Sequence, residues 1–424
     1  MAPVADASVT TTSGWHLRWL LAAPHRIAFF AAALMLAGTA LWWASVLLAW
    51  AAGRALTWAV APAAAHALLM SLGFMPLFIA GFLFTAGPRW LGRPAVAARS
   101  LLAPVLAMLL GWCVVLPGVH LGTAWAGAGM ALVAAGWSAL CWRFVAMLRA
   151  SRAPDRSHAR LIGFACVVGA AVMWVAAGAL ALGAVPVLRA ATQVAIWCFV
   201  ATVFATVSHR MLPFFGPGAL PRLDAWQPMW LLWTMVAALW FEAPFAVAQL
   251  RWWPLPAALR WAQAGVELAI ALMLLRLALR PGLIQNLRFR MLAMLLGGFA
   301  WLGIAFALAA VSHALLALSG GERSLGLAPT HALTMGYLGA TLFAMATRVS
   351  SGHGGRPIAA DNTAWALYWV LQSAVLLRVI AALWPAAATP FTLAAVLAWV
   401  IATLGWALRF GNWFIRPRHD DHPG

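Results

Sequence analysis

Imidazole is the side chain in this sequence best suited to chemistry. Eleven histidines are spread over 424 residues, and several stand in or beside long apolar runs. A histidine in lipid is costly unless its ring nitrogens find partners, so it marks a functional site by default. The densest stretch runs from Thr330 to Pro357. His331 stands near its start, and His353 near its end in a Gly-rich turn between Arg348 and Arg356. Either ring alone could equally be a satisfied histidine at a helix interface. Imidazole also suits iron, copper and zinc, and transmembrane haem is typically held by histidines from facing helices.

Neighbouring residues extend the same chemistry. Met335 lies four residues after His331 and shares its helical face. Thioether sulfur suits Cu(I), although core packing is the commoner use of such a methionine. Gly336 and Gly339 leave room for a flat ring or a close helix. Arg348, Arg356 and Arg93 could hold haem propionates in bidentate fashion. Orientation in the membrane and contact with lipid headgroups explain arginines there equally well. Acids inside the apolar runs are few: Glu242 and Glu267 lie in spans 7 and 8, and Arg378 falls inside span 11. A proton pump shows a chain of acids through its bundle. Two carboxylates do not make one, and they could instead pair with arginine or a buried polar group.

The elements that position these residues follow from composition. The chain is 65% hydrophobic and 8% charged, against roughly 25% charged in soluble proteins. It reads as an integral membrane protein. All 27 basic residues are arginine, the formal net charge is +18, and there are 27 tryptophans. The arginines sit in loops, so membrane orientation accounts for the charge without nucleic acid. Cys113, Cys141, Cys166 and Cys198 are isolated within apolar segments, with no CxxC and no CxxCH for covalent haem. Met1 to Gly14 lacks the apolar core of a signal peptide.

A span needs about 20 apolar residues. Twelve are expected: 27–50, 64–87, 100–119, 121–148, 161–183, 187–211, 227–248, 255–279, 289–319, 328–350, 363–386 and 389–414. The third and fourth should be separated by a turn at Pro117-Gly118. With the N-terminus cytoplasmic, 21 arginines fall on inner segments and five on outer ones, as the positive-inside rule requires. The expectation is an all-α polytopic bundle with both termini cytoplasmic. It comprises an N-terminal tail (1–26), a single transmembrane domain (27–414) and a C-terminal tail (415–424).

That topology gives the histidines depth. His66, His313 and His331 fall in the outer leaflet, with His120 near them in reserve. His25, His209 and His353 fall at the inner face. The first trio is the expected main metal set and the second a candidate cofactor cluster. His16, His158, His419 and His422 should be solvated in tails and loops. Two short echoes hint at duplication. Spans 2 and 10 each open on histidine and close on Gly-Arg-Pro, and His25-Arg26 before Phe29-Phe30 echoes His209-Arg210 before Phe214-Phe215.

The run His331-Ala332-Leu333-Thr334, Gly336, Gly339, Met345, Arg348, Gly352-His353 and Gly355-Arg356-Pro357 resembles the C-terminal signature of the NnrS family. That family comprises haem- and copper-containing bacterial membrane proteins. Gly81 to Pro94 and His209 to Phe215 are similar to two further family blocks. The resemblance implies non-covalent haem (b-type), copper, and a multi-pass place in the bacterial inner membrane. It also implies a part in the response to nitric oxide and nitrosative stress, often beside denitrification. Where the family often shows His-x-His-Glu-Met in span 2, this chain reads His66-Ala67-Leu68-Leu69-Met70. Its Gly-Phe-Arg-Pro-Phe-Phe run near the N-terminus is here Pro24-His25-Arg26-Ile27-Ala28-Phe29-Phe30. A variant subgroup with one altered metal site is expected.

The chain lacks the adjacent His-His and His-x-His pairs of haem–copper oxidase and nitric oxide reductase catalytic subunits. If it is catalytic, a haem or copper redox reaction on a small nitrogen oxide is implied. Competing readings are a histidine-rich transporter or permease, and an electron-transferring cytochrome without a substrate. Expected partners are membrane lipid and a diatomic ligand such as nitric oxide.

Overall fold

The structure is a computed structural model, and it describes residues 16–215, 228–280 and 287–419. It is all-helical, with no strand among the described residues. Twelve helical spans follow the apolar runs: α1 (Pro24–Ala51), α2 (Pro62–Trp90), α3 (Leu102–Leu121), α4 (Thr123–Arg149), α5 (Ser157–Ala181), α6 (Val185–Met211), α7 (Met229–Arg251), α8 (Ala257–Ala278), α9 (Arg290–Leu318), α10 (328–353), α11 (Asn362–Leu383) and α12 (Ala388–Phe414). Eleven helices are apolar and long enough to cross a membrane among the described residues. The twelfth segment, α10, is interrupted by a wider turn.

Helices adjacent in sequence pack as antiparallel pairs, above all α3 with α4, α4 with α5, α8 with α9 and α11 with α12. Helix α12 also lies along α1, joining the two ends of the chain. Helices α2 and α6 are the most enclosed of the eleven. The α2 window is 89% buried, against 33% for α8 and α12, so α2 has protein on nearly all sides where α8 and α12 face lipid. Exposed indoles lie near both sets of helix ends: Trp50 closes α1, Trp125 opens α4, Trp252 and Trp253 follow α7 and Trp384 follows α11, while Trp142 is near the end of α4 and Trp230 opens α7. Amphipathic rings at headgroup level have this distribution.

Three spans depart from regular α-helix. Helix α2 breaks between Leu72 and Met75. A Cβ on Gly73 would lie 2.3 Å from the Leu69 carbonyl oxygen, so the break needs glycine. Pro76 then starts the second half, where its missing N–H does no harm. Helix α6 widens to a π-helix over Ala195–Ala201, and α10 over Ala332–Gly339. Such wide turns are frequent at functional sites.

One local expectation is corrected, and beside Gly336 the close neighbour is found rather than a flat ring. The chain does not turn at Pro117-Gly118, which lie inside α3; it turns at Gly122. A Cβ on Gly118 would come within 2.6 Å of the Ala126 backbone nitrogen. Gly118 therefore permits close packing of α3 on α4. The space beside Gly336 is taken by protein: a Cβ there would sit 2.7 Å from the Trp301 indole. That indole is fixed by a 2.7 Å hydrogen bond to Gln372.

Candidate functional site

Helix α10 carries a histidine at each end; His353 meets a second imidazole, His25, and His331 lies within electrostatic reach of His66. At its first turn His331 gives its Nδ1 proton to the Leu327 carbonyl, 2.9 Å away. A carbonyl can only accept, so Nε2 keeps its lone pair. A ring so oriented is the usual state of a metal-binding histidine. His66, from the first half of α2, is close enough to His331 and to Arg378 of α11 to feel their charge. Its ring stacks on Trp43, centroids 4.1 Å apart. Its Nδ1 is buried without a hydrogen-bond partner.

At the other end His353 faces His25, with ring centroids 4.8 Å apart. His25 is buried, and its Nδ1 has no partner either. Most buried polar atoms are satisfied by protein or water, so these orphaned imidazole nitrogens, with the third at His158 Nδ1, call for an explanation. Arg26, Arg89 and Arg418 surround this pair electrostatically, and Arg26 also donates to the Arg416 carbonyl at 2.7 Å. One turn deeper, Phe29 helps line a small, almost wholly apolar cavity of about 40 Å³. Phe78, Phe82, Val203 and Met345 complete much of its wall.

The remaining expected residues are placed differently. His313 donates Nδ1–H to Glu267, 2.8 Å from each carboxylate oxygen. Glu267 belongs to a buried polar cluster with Glu242, Gln263 and Arg260, in which Gln263 donates to Glu242 at 3.2 Å. The two intramembrane acids thus bond to His313 and Gln263, and among the described residues Arg260 reaches only Gln263, at 3.5 Å. His209 accepts at Nδ1 from His158 Nε2, 3.0 Å away, and gives its own Nε2 proton to the Pro228 carbonyl at 3.3 Å. His158 was expected in a solvated loop. It is buried, because α5 begins at Ser157, four residues before the apolar run.

His120, the reserve candidate, has both nitrogens occupied. Trp42 donates to Nε2 at 2.9 Å, and Nδ1 meets the Thr57 carbonyl at 2.8 Å. Met335 packs partly buried against the core. Arg348 lies over the Phe215 ring at 4.9 Å and Arg356 over Trp413 at 4.2 Å. Among the described residues, no group of three or more His, Cys, Asp or Glu side chains gathers closely enough to hold a metal ion. The arrangement is of imidazole pairs. Arg26, Arg89 and Arg418 were not singled out from the sequence. Arg26 follows His25 directly, and that adjacency was the one available signal.

No curated protein matches the chain. The family model described as NnrS protein matches residues 19–418, nearly the whole length. The chain belongs to the NnrS family.

Proposed function

We propose that this protein is a haem- and copper-binding protein of the bacterial inner membrane that serves the response to nitric oxide and nitrosative stress. The observation that carries the reading is the pair of buried, unpartnered nitrogens, His25 Nδ1 and His66 Nδ1. His25 stands next to the imidazole of His353, and His66 lies within electrostatic reach of that of His331. The residues suit haem at the His25–His353 end. There an apolar cavity adjoins the pair, and Arg26, Arg89 and Arg418 could take propionates. The His66–His331 end suits copper, for which two neutral imidazoles are good ligands. Bound metals would supply redox chemistry or capture of a diatomic ligand. The chain's own part is to orient the rings, exclude water and neutralise carboxylates.

The purified full-length protein should show a Soret band and contain copper. Nitric oxide added to the reduced protein should shift the band. A colourless, metal-free protein from haem- and copper-replete cells would overturn the reading and favour a transporter. The membrane orientation proposed here, with both termini cytoplasmic, rests on the 21-to-5 distribution of arginines.

A further inference from the structure

An open pocket of about 520 Å³ lies at one end of the bundle. Phe214 and Phe215 reach it from the exit of α6, and Arg288 to Met291 from the start of α9. Arg348 reaches it from the last turns of α10, and Ile358 to Ala360 from the link to α11. The arginine distribution makes this end cytoplasmic. Small-molecule sites span about 300–1,000 Å³, so the pocket is large enough for a ligand of that class.

Its charge has one sign. Arg288, Arg290 and Arg348 line it, and among the described residues no carboxylate does. The ion pairs among the described residues belong to Arg210, His313 and Arg409, not to these three. Arg290 is committed to the fold: its Nη1 donates to Asn362 Oδ1 at 2.8 Å and to the Ala360 carbonyl at 3.4 Å. Arg348 and Arg288 are held differently. Each guanidinium carbon lies 4.9 Å from the centroid of a phenyl ring, Phe215 and Phe289 respectively. Such contacts fix a guanidinium while leaving N–H donors for an oxygen acceptor.

The other side chains of the lining are apolar. Phe289 and Met291 contribute from α9, and Phe214 and Ile358 are 58% and 52% exposed. A free phosphate would satisfy the arginines but make no use of these apolar groups. An amphipathic anion uses both, and basic pockets between helices on the cytoplasmic side bind acidic headgroups. We propose that this pocket binds the headgroup of an anionic phospholipid of the cytoplasmic leaflet, with Arg348 and Arg288 on its phosphate. The inference stands apart from the metal assignment, since neither arginine lies beside the histidine pairs at the ends of α10.

Native mass spectrometry of the delipidated full-length protein in non-ionic detergent tests it, with phosphatidylglycerol, phosphatidylcholine and inorganic phosphate titrated separately. Saturable binding of phosphatidylglycerol is expected, about tenfold or more tighter than that of the other two. Arg348→Gln should weaken it about tenfold, the loss of one charge-assisted hydrogen bond. Arg288→Gln, at a more exposed position, should weaken it about fivefold. Arg149→Gln, at the cytoplasmic end of α4 and outside the pocket, should leave it unchanged. The Soret band should be the same in all three variants as in the parent. Equal affinity of the parent for the two lipids would overturn the proposal, as would an Arg288→Gln protein that binds as tightly as Arg149→Gln. Both results are read without the Arg348 variant, whatever its stability. Inorganic phosphate bound as tightly as the lipid would make this a free-phosphate site. Loss of the Soret band in Arg348→Gln would make that arginine a propionate ligand, and either outcome would end the lipid assignment.

Discussion

His313 and Glu267 form a buried charge-capable pair, the imidazole Nδ1 lying 2.8 Å from both carboxylate oxygens. Glu267 is fully enclosed and shares its surroundings with Glu242, Gln263 and Arg260. Removing one partner of such a network leaves the others unpaired. Glu267→Ala should therefore destabilise the protein by roughly 3–5 kcal/mol. Glu267→Gln keeps an oxygen for the His313 proton and should cost less. Thermal unfolding of the two variants in detergent checks the order. Equal midpoints for Glu267→Ala and the parent would show that the network contributes no stability.

The glycines of α10 make a second, sharper contrast. A Cβ on Gly336 would press into Trp301 at 2.7 Å, whereas one on Gly339 meets Trp399 at an ordinary 3.6 Å. Gly336→Ala should cost about 1–3 kcal/mol through overpacking. Gly339→Ala should be neutral, or stabilising by up to about 1 kcal/mol through helix propensity. Reversal of that order in the unfolding midpoints would contradict the packing described for this helix.

The helical spans were legible because hydropathy and arginine placement act over some 20 residues at a time. Features set by one or two residues were not. The π-turns at Ala195–Ala201 and Ala332–Gly339 leave the apolar composition unchanged. The Gly73 break depends on a backbone contact that sequence does not display. His158 was misplaced because polar residues from Ser157 to Arg160 open α5 and resemble a loop. Depth alone grouped His25 with His353 and His66 with His331; the first pair meets ring to ring and the second lies within electrostatic reach. Depth cannot tell which face of a helix a residue occupies, so it also grouped His313 and His209 with them. Those two turn to Glu267 and His158.

His120 and His66 lie on the same side of the bundle but differ in their nitrogens. His120 is bonded at both, to Trp42 and Thr57, while His66 Nδ1 is orphaned. His120→Ala should lower stability by about 1–3 kcal/mol, because the Trp42 N–H loses its acceptor. It should leave metal content unchanged. His66→Ala should do the opposite, lowering copper content with little effect on the unfolding of the metal-free protein. Copper loss in the His120 variant would require a different donor set.

The last prediction concerns the two ends of α10. His331 and His353 bracket one helix, yet each is paired with an imidazole from a different part of the chain, α2 and α1 respectively. If each pair holds its own cofactor, the two losses should separate. His353→Ala should remove the Soret band while copper remains. His331→Ala should reduce copper retention by about tenfold or more while the band remains, since loss of an outer-shell partner alone costs 10–100-fold. The double variant should lack both and still insert in the membrane, because one imidazole at each end barely alters the hydropathy of the span. Paired metal analysis and absorption spectra of the three variants make the test. Loss of both cofactors from either single variant would point to one shared centre, and would end the assignment of separate sites to the two ends of the helix.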